Sequence, residues 1–188
     1  EPETIASDPL LLKAMMRFHF SDPLIERLLI TLRQSILLNS SRDLAIDSGF
    51  MPLVIALSGQ VEPNEAVWFI SQPEQTLISQ LNQLAIKILQ IDDLKAGDIS
   101  AIMLLTMMYQ PLRKAPFYGA LKEKALHWPE QLSELMNMCL EQPQEVAAAA
   151  QVIPSLGLSS NATSRRVKTQ YEEHPYPRWT SLGYDQKT

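Results

Sequence analysis

Three histidines, one cysteine and two pairs of adjacent carboxylates are the residues of this 188-residue chain from which metal binding or acid–base chemistry could be built. His19, His127 and His174 stand singly, in no HxxxH, HxH or CxxC pattern, whereas a metal site needs three or four ligands whose spacing gathers them around one ion. His19 follows Phe18 at the end of a helical pattern, where an imidazole meets the negative end of the helix dipole, a structural role. The lone Cys139 can form neither an internal disulfide nor a thiolate cage. Asp92-Asp93 and Glu172-Glu173 are neighbours in sequence and on a helix point about 100° apart, which is wrong for a shared proton. Gly49 and Gly59 lie in helical surroundings, and no GxGxxG or GxxxxGK[ST] string cradles a phosphate. Met103, Met107, Met108, Met136 and Met138 could line an adaptable groove, although helical core packing is the simpler reading. No catalytic, cofactor-binding or metal set is therefore expected.

The C-terminal tail has a different texture. Four of the thirteen aromatic residues, Tyr171, Tyr176, Trp179 and Tyr184, fall after Thr163. Arg165 to His174 can form a short helix that Pro175 must end. Pro175-Tyr176-Pro177-Arg178-Trp179 is then extended, because each proline fixes its own φ and pushes its predecessor out of the helical region. Planar aromatics and arginine bury much area at small entropic cost, which suits docking. The candidate interaction residues are Tyr171, Glu172, Glu173, Pro175, Tyr176, Pro177, Arg178 and Trp179. The alternative is a strap that packs back on the chain's own helices.

The elements ahead of the tail read as helices throughout. Ser7-Asp8-Pro9-Leu10 recurs as Ser21-Asp22-Pro23-Leu24, in each case an N-cap aspartate followed by a proline at the first helical position. Leu24, Ile25, Leu28, Leu29, Leu32, Ile36 and Leu37 recur at three- and four-residue steps as a wide apolar face, which leaves Glu26, Arg27, Arg33 and Gln34 largely off it. Further helices are predicted from Asp47 or Ser48 to near Gly59, from Glu62-Pro63-Asn64-Glu65 through Phe69, and from Pro73-Glu74 with Leu77, Leu81, Leu84, Ile88 and Leu89 inward. The nearly all-apolar run after Gly97-Asp98 should be the most buried helix. Pro111, Pro116 and Gly119 then break the chain into short pieces. Another helix starts at Trp128-Pro129-Glu130, with Leu132, Leu135, Met136, Cys139 and Leu140 inward, and Pro143-Gln144-Glu145 repeats the start signal. Alternating β-branched runs are scarce. The expected fold is all-α, an irregular bundle of about seven to nine helices with an extended, aromatic and proline-rich C-terminal tail. The expected organisation is a helical domain over 1–152, a linker over 153–164, and a short helix plus extended tail over 165–188.

At 46% apolar and 20% charged, the composition is that of an ordinary globular domain able to bury about 70% of its unfolded surface. The net charge of −5 argues against nucleic acid as a partner, since that affinity needs a basic face. The apolar windows Ile99 to Leu112 and Ser48 to Val61 fall short of the roughly 20 residues a membrane span needs, so no membrane partner is expected. The opening Glu1-Pro2-Glu3 lacks the basic start and apolar core of a secretory signal, and with the single cysteine it points to the cytoplasm.

Val167-Lys168-Thr169-Gln170-Tyr171-Glu172-Glu173-His174-Pro175-Tyr176-Pro177-Arg178-Trp179 resembles a QYEENPYPRW-like signature of bacterial class I S-adenosylmethionine-dependent methyltransferases. In those chains a helical region, often behind tetratricopeptide repeats, runs through such a segment into the catalytic domain. Asp8-Pro9-Leu10-Leu11-Leu12, Leu24-Ile25-Glu26-Arg27-Leu28-Leu29 and Leu32-Arg33 are similar to that helical region in order and spacing. His174 stands where the family pattern has asparagine. The residues up to Thr188 include no strand with a glycine-rich turn to hold the methyl donor. The resemblance thus implies a helical accessory domain, inert by itself, with S-adenosylmethionine the cofactor of a larger protein and not of this stretch. It further implies a methyltransferase domain following in cis, or a protein partner, at the tail. A homodimer through the tail is a further arrangement it permits. The alternative from another class is a stand-alone interaction module that binds a peptide or partner helix in a groove. A small helical enzyme is the third.

Overall fold

The two Ser-Asp-Pro-Leu strings do start helices. In the computed structural model, which describes residues 2–152 and 161–173, Asp8 accepts the backbone N–H groups of Leu10 and Leu11 at 3.0 Å each and opens α2 (Pro9–Arg17). Asp22 accepts those of Leu24 and Ile25 at 2.7 and 3.2 Å and opens α3 (Pro23–Asp43). A short α1 (Pro2–Ala6), which the sequence pattern does not mark, precedes them and buries Ala6. Of the apolar face expected on α3, Leu29, Ile36 and Leu37 are buried, Ile25 and Leu32 are half-buried, and Leu24 and Leu28 are exposed. Arg33, expected off that face, is buried with them, a correction with consequences for the site below.

α4 (Met51–Gln60) starts later than the predicted cap at Asp47 or Ser48. The Asp47 carboxylate accepts the Gly49 N–H at 2.7 Å and closes a turn in front of the helix. α4 ends at Gln60, next to Gly59 as expected, and the bare Cα of Gly59 lets Met16 approach: an added Cβ would stand 3.1 Å from Met16 Cγ. Every residue from Leu53 to Gln60 is buried, and α4 is the centre of the bundle, packed by α1, α2, α3 and the later α6 and α8.

The helix expected from Glu62 through Phe69 does not form. Asn64 Oδ1 accepts the Ala66 N–H at 2.8 Å, and Glu65 and Ala66 both adopt left-handed φ of 57°, so the chain turns where a helix would have continued. α5 (Gln72–Ile88) follows, capped reciprocally by Ser71 and Glu74. It buries Ile78, Leu81 and Ala85 and faces Gln75, Gln80, Gln83 and Lys87 to solvent. α6 (Ala96–Met107) is the deeply buried helix expected, packed on α4 and α5. A 3-10 turn (Leu112–Lys114) and α7 (Tyr118–Lys122) are the short pieces set by the prolines.

α8 (Glu130–Met136) buries Leu132, Leu135 and Met136 and passes without a break through a π-turn (Asn137–Glu141) into α9 (Gln142–Val152). Pro143 explains the widening, since it has no N–H for the carbonyl four residues back and its ring would press on it. α10 (Ala162–Glu173) is the last helix described. It begins within the stretch read as a linker, of which residues 153–160 lie outside the described ones. The chain falls into two compact units, Glu1–Ala147 and Ala148–Thr188. The described residues contain no strand, so the fold is all-α. Among them, no helix is long and apolar enough to cross a membrane.

Candidate functional site

Tyr171, Glu172 and Glu173 occupy the last turn of α10, which ends one residue before His174-Pro175 as the proline requires. Pro175, Tyr176, Pro177, Arg178 and Trp179, and with them the extended character expected of the tail, lie outside the described residues. Asn161 opens α10 by accepting the Thr163 N–H at 2.8 Å. Residues 161–170 are all exposed. The charges of α10 run against its dipole, with Arg165 and Arg166 near the positive end and Glu172 and Glu173 at the negative end. A 12-residue helix of that kind is marginal by itself.

The strongest electrostatic feature is one the sequence reading missed. Arg33 from α3 is 2% exposed, and its guanidinium lies 4.0 Å from the centre of the Tyr109 ring and 5.6 Å from that of Trp68. It donates to the carbonyl of Phe69 at 2.6 Å and, more weakly, to that of Met108 at 3.5 Å. Glu74 from α5 is also 2% exposed. Its Oε1 accepts the Tyr109 hydroxyl at 2.7 Å, and its Oε2 accepts the Ser71 N–H at 2.8 Å and hydroxyl at 2.6 Å. α3, α5, the turn after α6 and the 61–71 connection are thereby fastened by one cation, one anion and one phenol.

The protonation states follow from this geometry. Burial lowers the affinity of Arg33 for its proton, while Tyr109 and Glu74 pull the other way. Burial alone would lift Glu74, but the donations from Ser71 and Tyr109 and the nearby Arg33 outweigh it and hold the carboxyl below its ordinary range. The Tyr109 hydroxyl is pushed far above its usual value, first by burial and then by its bond to the carboxylate. Tyr109 is thus a fixed neutral donor, and the cluster holds charges in place with no group poised to exchange a proton near neutral pH. Among the described residues Arg33 Nε meets no acceptor. The clasp holds the connection so that Trp68 packs inward while Val67 and Phe69 project outward, 70% and 72% exposed.

A cleft of about 310 Å3 opens between the C-terminal half of α3 and the connection to α4. Leu32, Ile36, Ile46 and Phe50 form its apolar walls, and Ser35, Asn39, Ser40 and Asp47 its polar ones. Leu44 folds the connection back over α3 by taking a left-handed conformation, φ 51° and ψ 32°, at the end of the helix.

The remaining candidates for chemistry stay apart. Among the described residues no three of the histidine, cysteine, aspartate and glutamate side chains gather as a metal site. His19 and His127 are exposed and lie on separate segments. Cys139 is buried, and its thiol is pushed up to about 12, first by burial and then by Glu62. Met103, Met107, Met108 and Met136 are core residues. Comparison of the chain with protein-family models, with curated proteins and with solved structures returned no match.

Proposed function

We propose that this chain is a non-catalytic helical accessory domain of a methyltransferase-like protein, which positions a substrate or partner for a catalytic domain joined at the tail. The observation that carries the reading is the segment Val167 to Trp179, in which the ten residues Gln170 to Trp179 resemble the QYEENPYPRW-like linker signature with one departure, His174. The course of α10 supports it. An exposed helix whose charges oppose its dipole is suited to being held by a neighbour rather than by itself. In this reading Tyr171 to Glu173 form the helical half of the junction, and Pro175, Tyr176, Pro177, Arg178 and Trp179 the half that meets the catalytic domain.

The test is the mass and peptide map of the natural gene product from its source. The expected result is a mass well above 21.2 kDa, with peptides of a glycine-rich α/β region after Thr188. A mass near 21.2 kDa, or tight S-adenosylmethionine binding by residues 1–188 alone, overturns the proposal.

A stand-alone interaction module is the second reading, and Val67 and Phe69 favour it. Two large apolar side chains are held out to solvent by a buried cation and two left-handed residues. A Phe69→Ser change that released a partner, while deletion of residues 165–188 did not, would decide for it.

A further inference from the structure

We propose that the cleft between α3 and the α3–α4 connection is a binding site for a small amphipathic amine, an ammonium group carried on a compact aromatic or hydrocarbon body. The volume of about 310 Å3 is at the lower edge of the roughly 300–1,000 Å3 that small-molecule sites occupy. Leu32, Ile36 and Phe50 offer the apolar walls that would take the body of the ligand. The single charge in the lining is Asp47. One of its carboxylate oxygens is held by the Gly49 N–H at 2.7 Å, and the other has no partner among the described residues. The carboxylate is therefore oriented by the turn, with its second oxygen open to solvent. Asp47 is exposed at the edge of the cleft, so a cation gains from that charge, an anion is repelled by it, and a neutral ligand gains nothing from it. Asn39 and Ser40 add side-chain oxygens to the same lining, and an ammonium has three donors to offer them.

The backbone around the cleft is built at a cost. A left-handed conformation is disfavoured for leucine, and here it turns the chain so that Ile46, Asp47 and Phe50 line the cleft with α3.

The test is an amide chemical-shift titration of the 15N-labelled chain with three probes of the same body: phenethylamine, 2-phenylethanol and 3-phenylpropanoate. Phenethylamine is expected to bind with a Kd on the order of 1 mM, shifting Ser35, Asn39, Asp47 and Gly49. The alcohol should bind about fivefold more weakly, as expected of one partly exposed ion pair, and the carboxylate more weakly still. Asp47→Asn keeps an oxygen for the Gly49 N–H and removes only the charge, so it should bring the amine down to the level of the alcohol and leave the alcohol unchanged. Ser35→Trp, at an exposed position, fills the cleft and should abolish all binding while the rest of the spectrum is retained. Equal affinity for amine and alcohol, an Asp47→Asn variant that binds the amine as the original does, or shifts elsewhere than the cleft each overturn the proposal.

Discussion

Tyr109→Phe removes one oxygen from the buried clasp and nothing else. The ring stays over Arg33 at 4.0 Å, and Glu74 keeps both donations from Ser71. What is lost is a 2.7 Å hydrogen bond from a neutral phenol to a buried carboxylate. Hydrogen bonds to charged groups contribute about 1.5–3 kcal/mol, and Glu74 retains two of its three donors, so the expected loss is about 2 kcal/mol. For a chain of this size that corresponds to a fall in Tm of about 4–8 °C. The assay is urea denaturation followed by circular dichroism, with an unchanged slope showing that only the folded state is affected. The pH dependence separates this hydrogen bond from simple packing. Glu74 is held below its unfolded value, so its contribution is present above that value and disappears as pH falls through the folded one. Because Tyr109 donates to the charged form, the gap between wild type and Tyr109→Phe should be full at pH 7 and shrink as the pH falls through the depressed range in which folded Glu74 takes up its proton. A loss below about 0.5 kcal/mol, or a gap that does not change with pH, would refute the clasp as described.

Asp22→Ala removes the acceptor of the Leu24 and Ile25 N–H groups and should cost about 1 kcal/mol, read in the same denaturation assay. Ala66→Gly relieves a left-handed φ of 57° and should stabilise by about 1 kcal/mol; destabilisation would mean that the Ala66 methyl packs usefully. Gly59→Ala sets a helix-propensity gain of about 1 kcal/mol against a 3.1 Å approach to Met16, and since that side chain can swing aside the net change should stay within about 1 kcal/mol. Cys139 should resist a thiol reagent in the native protein at pH 8 and react at the rate of unfolding, because its thiol is buried and pushed up to about 12.

Local signals proved readable and long-range ones did not. Asp8 and Asp22 act on N–H groups two and three residues ahead, so the helix starts they mark need nothing from the rest of the chain. The inward face Leu132, Leu135, Met136, Cys139 and Leu140 likewise follows from spacing alone. Arg33 stands four residues after Leu29 and four before Leu37, in register with the buried face, and only its charge argued for solvent. Its compensation comes from Trp68, Phe69, Met108 and Tyr109, at least 35 positions away, which no local pattern reveals. The missing helix after Glu62 shows the reverse failure. A plausible Glu-Pro-Asn-Glu start was overridden by the Asn64 side chain and two left-handed residues. The cleft escaped for a related reason, since it depends on Leu44 adopting a conformation that its residue type disfavours.

The π-turn at Asn137–Glu141 divides a stretch constrained by side-chain volume from one constrained only by helix formation. Ahead of it Leu132, Leu135 and Met136, and within it Cys139 and Leu140, are held to their sizes by the core. Behind it, α9 buries no residue, and its run Ala147 to Ala150 is what remains when a segment is asked only to stay helical. A turn with one residue more than the α-pattern is also the trace an insertion leaves in a helix. Losing Asn137 would draw the ladder back into α-geometry and set the ring of Pro143 against the carbonyl of Cys139. The extra residue and the proline therefore belong together, and a lineage that lost one should be found to have lost the other.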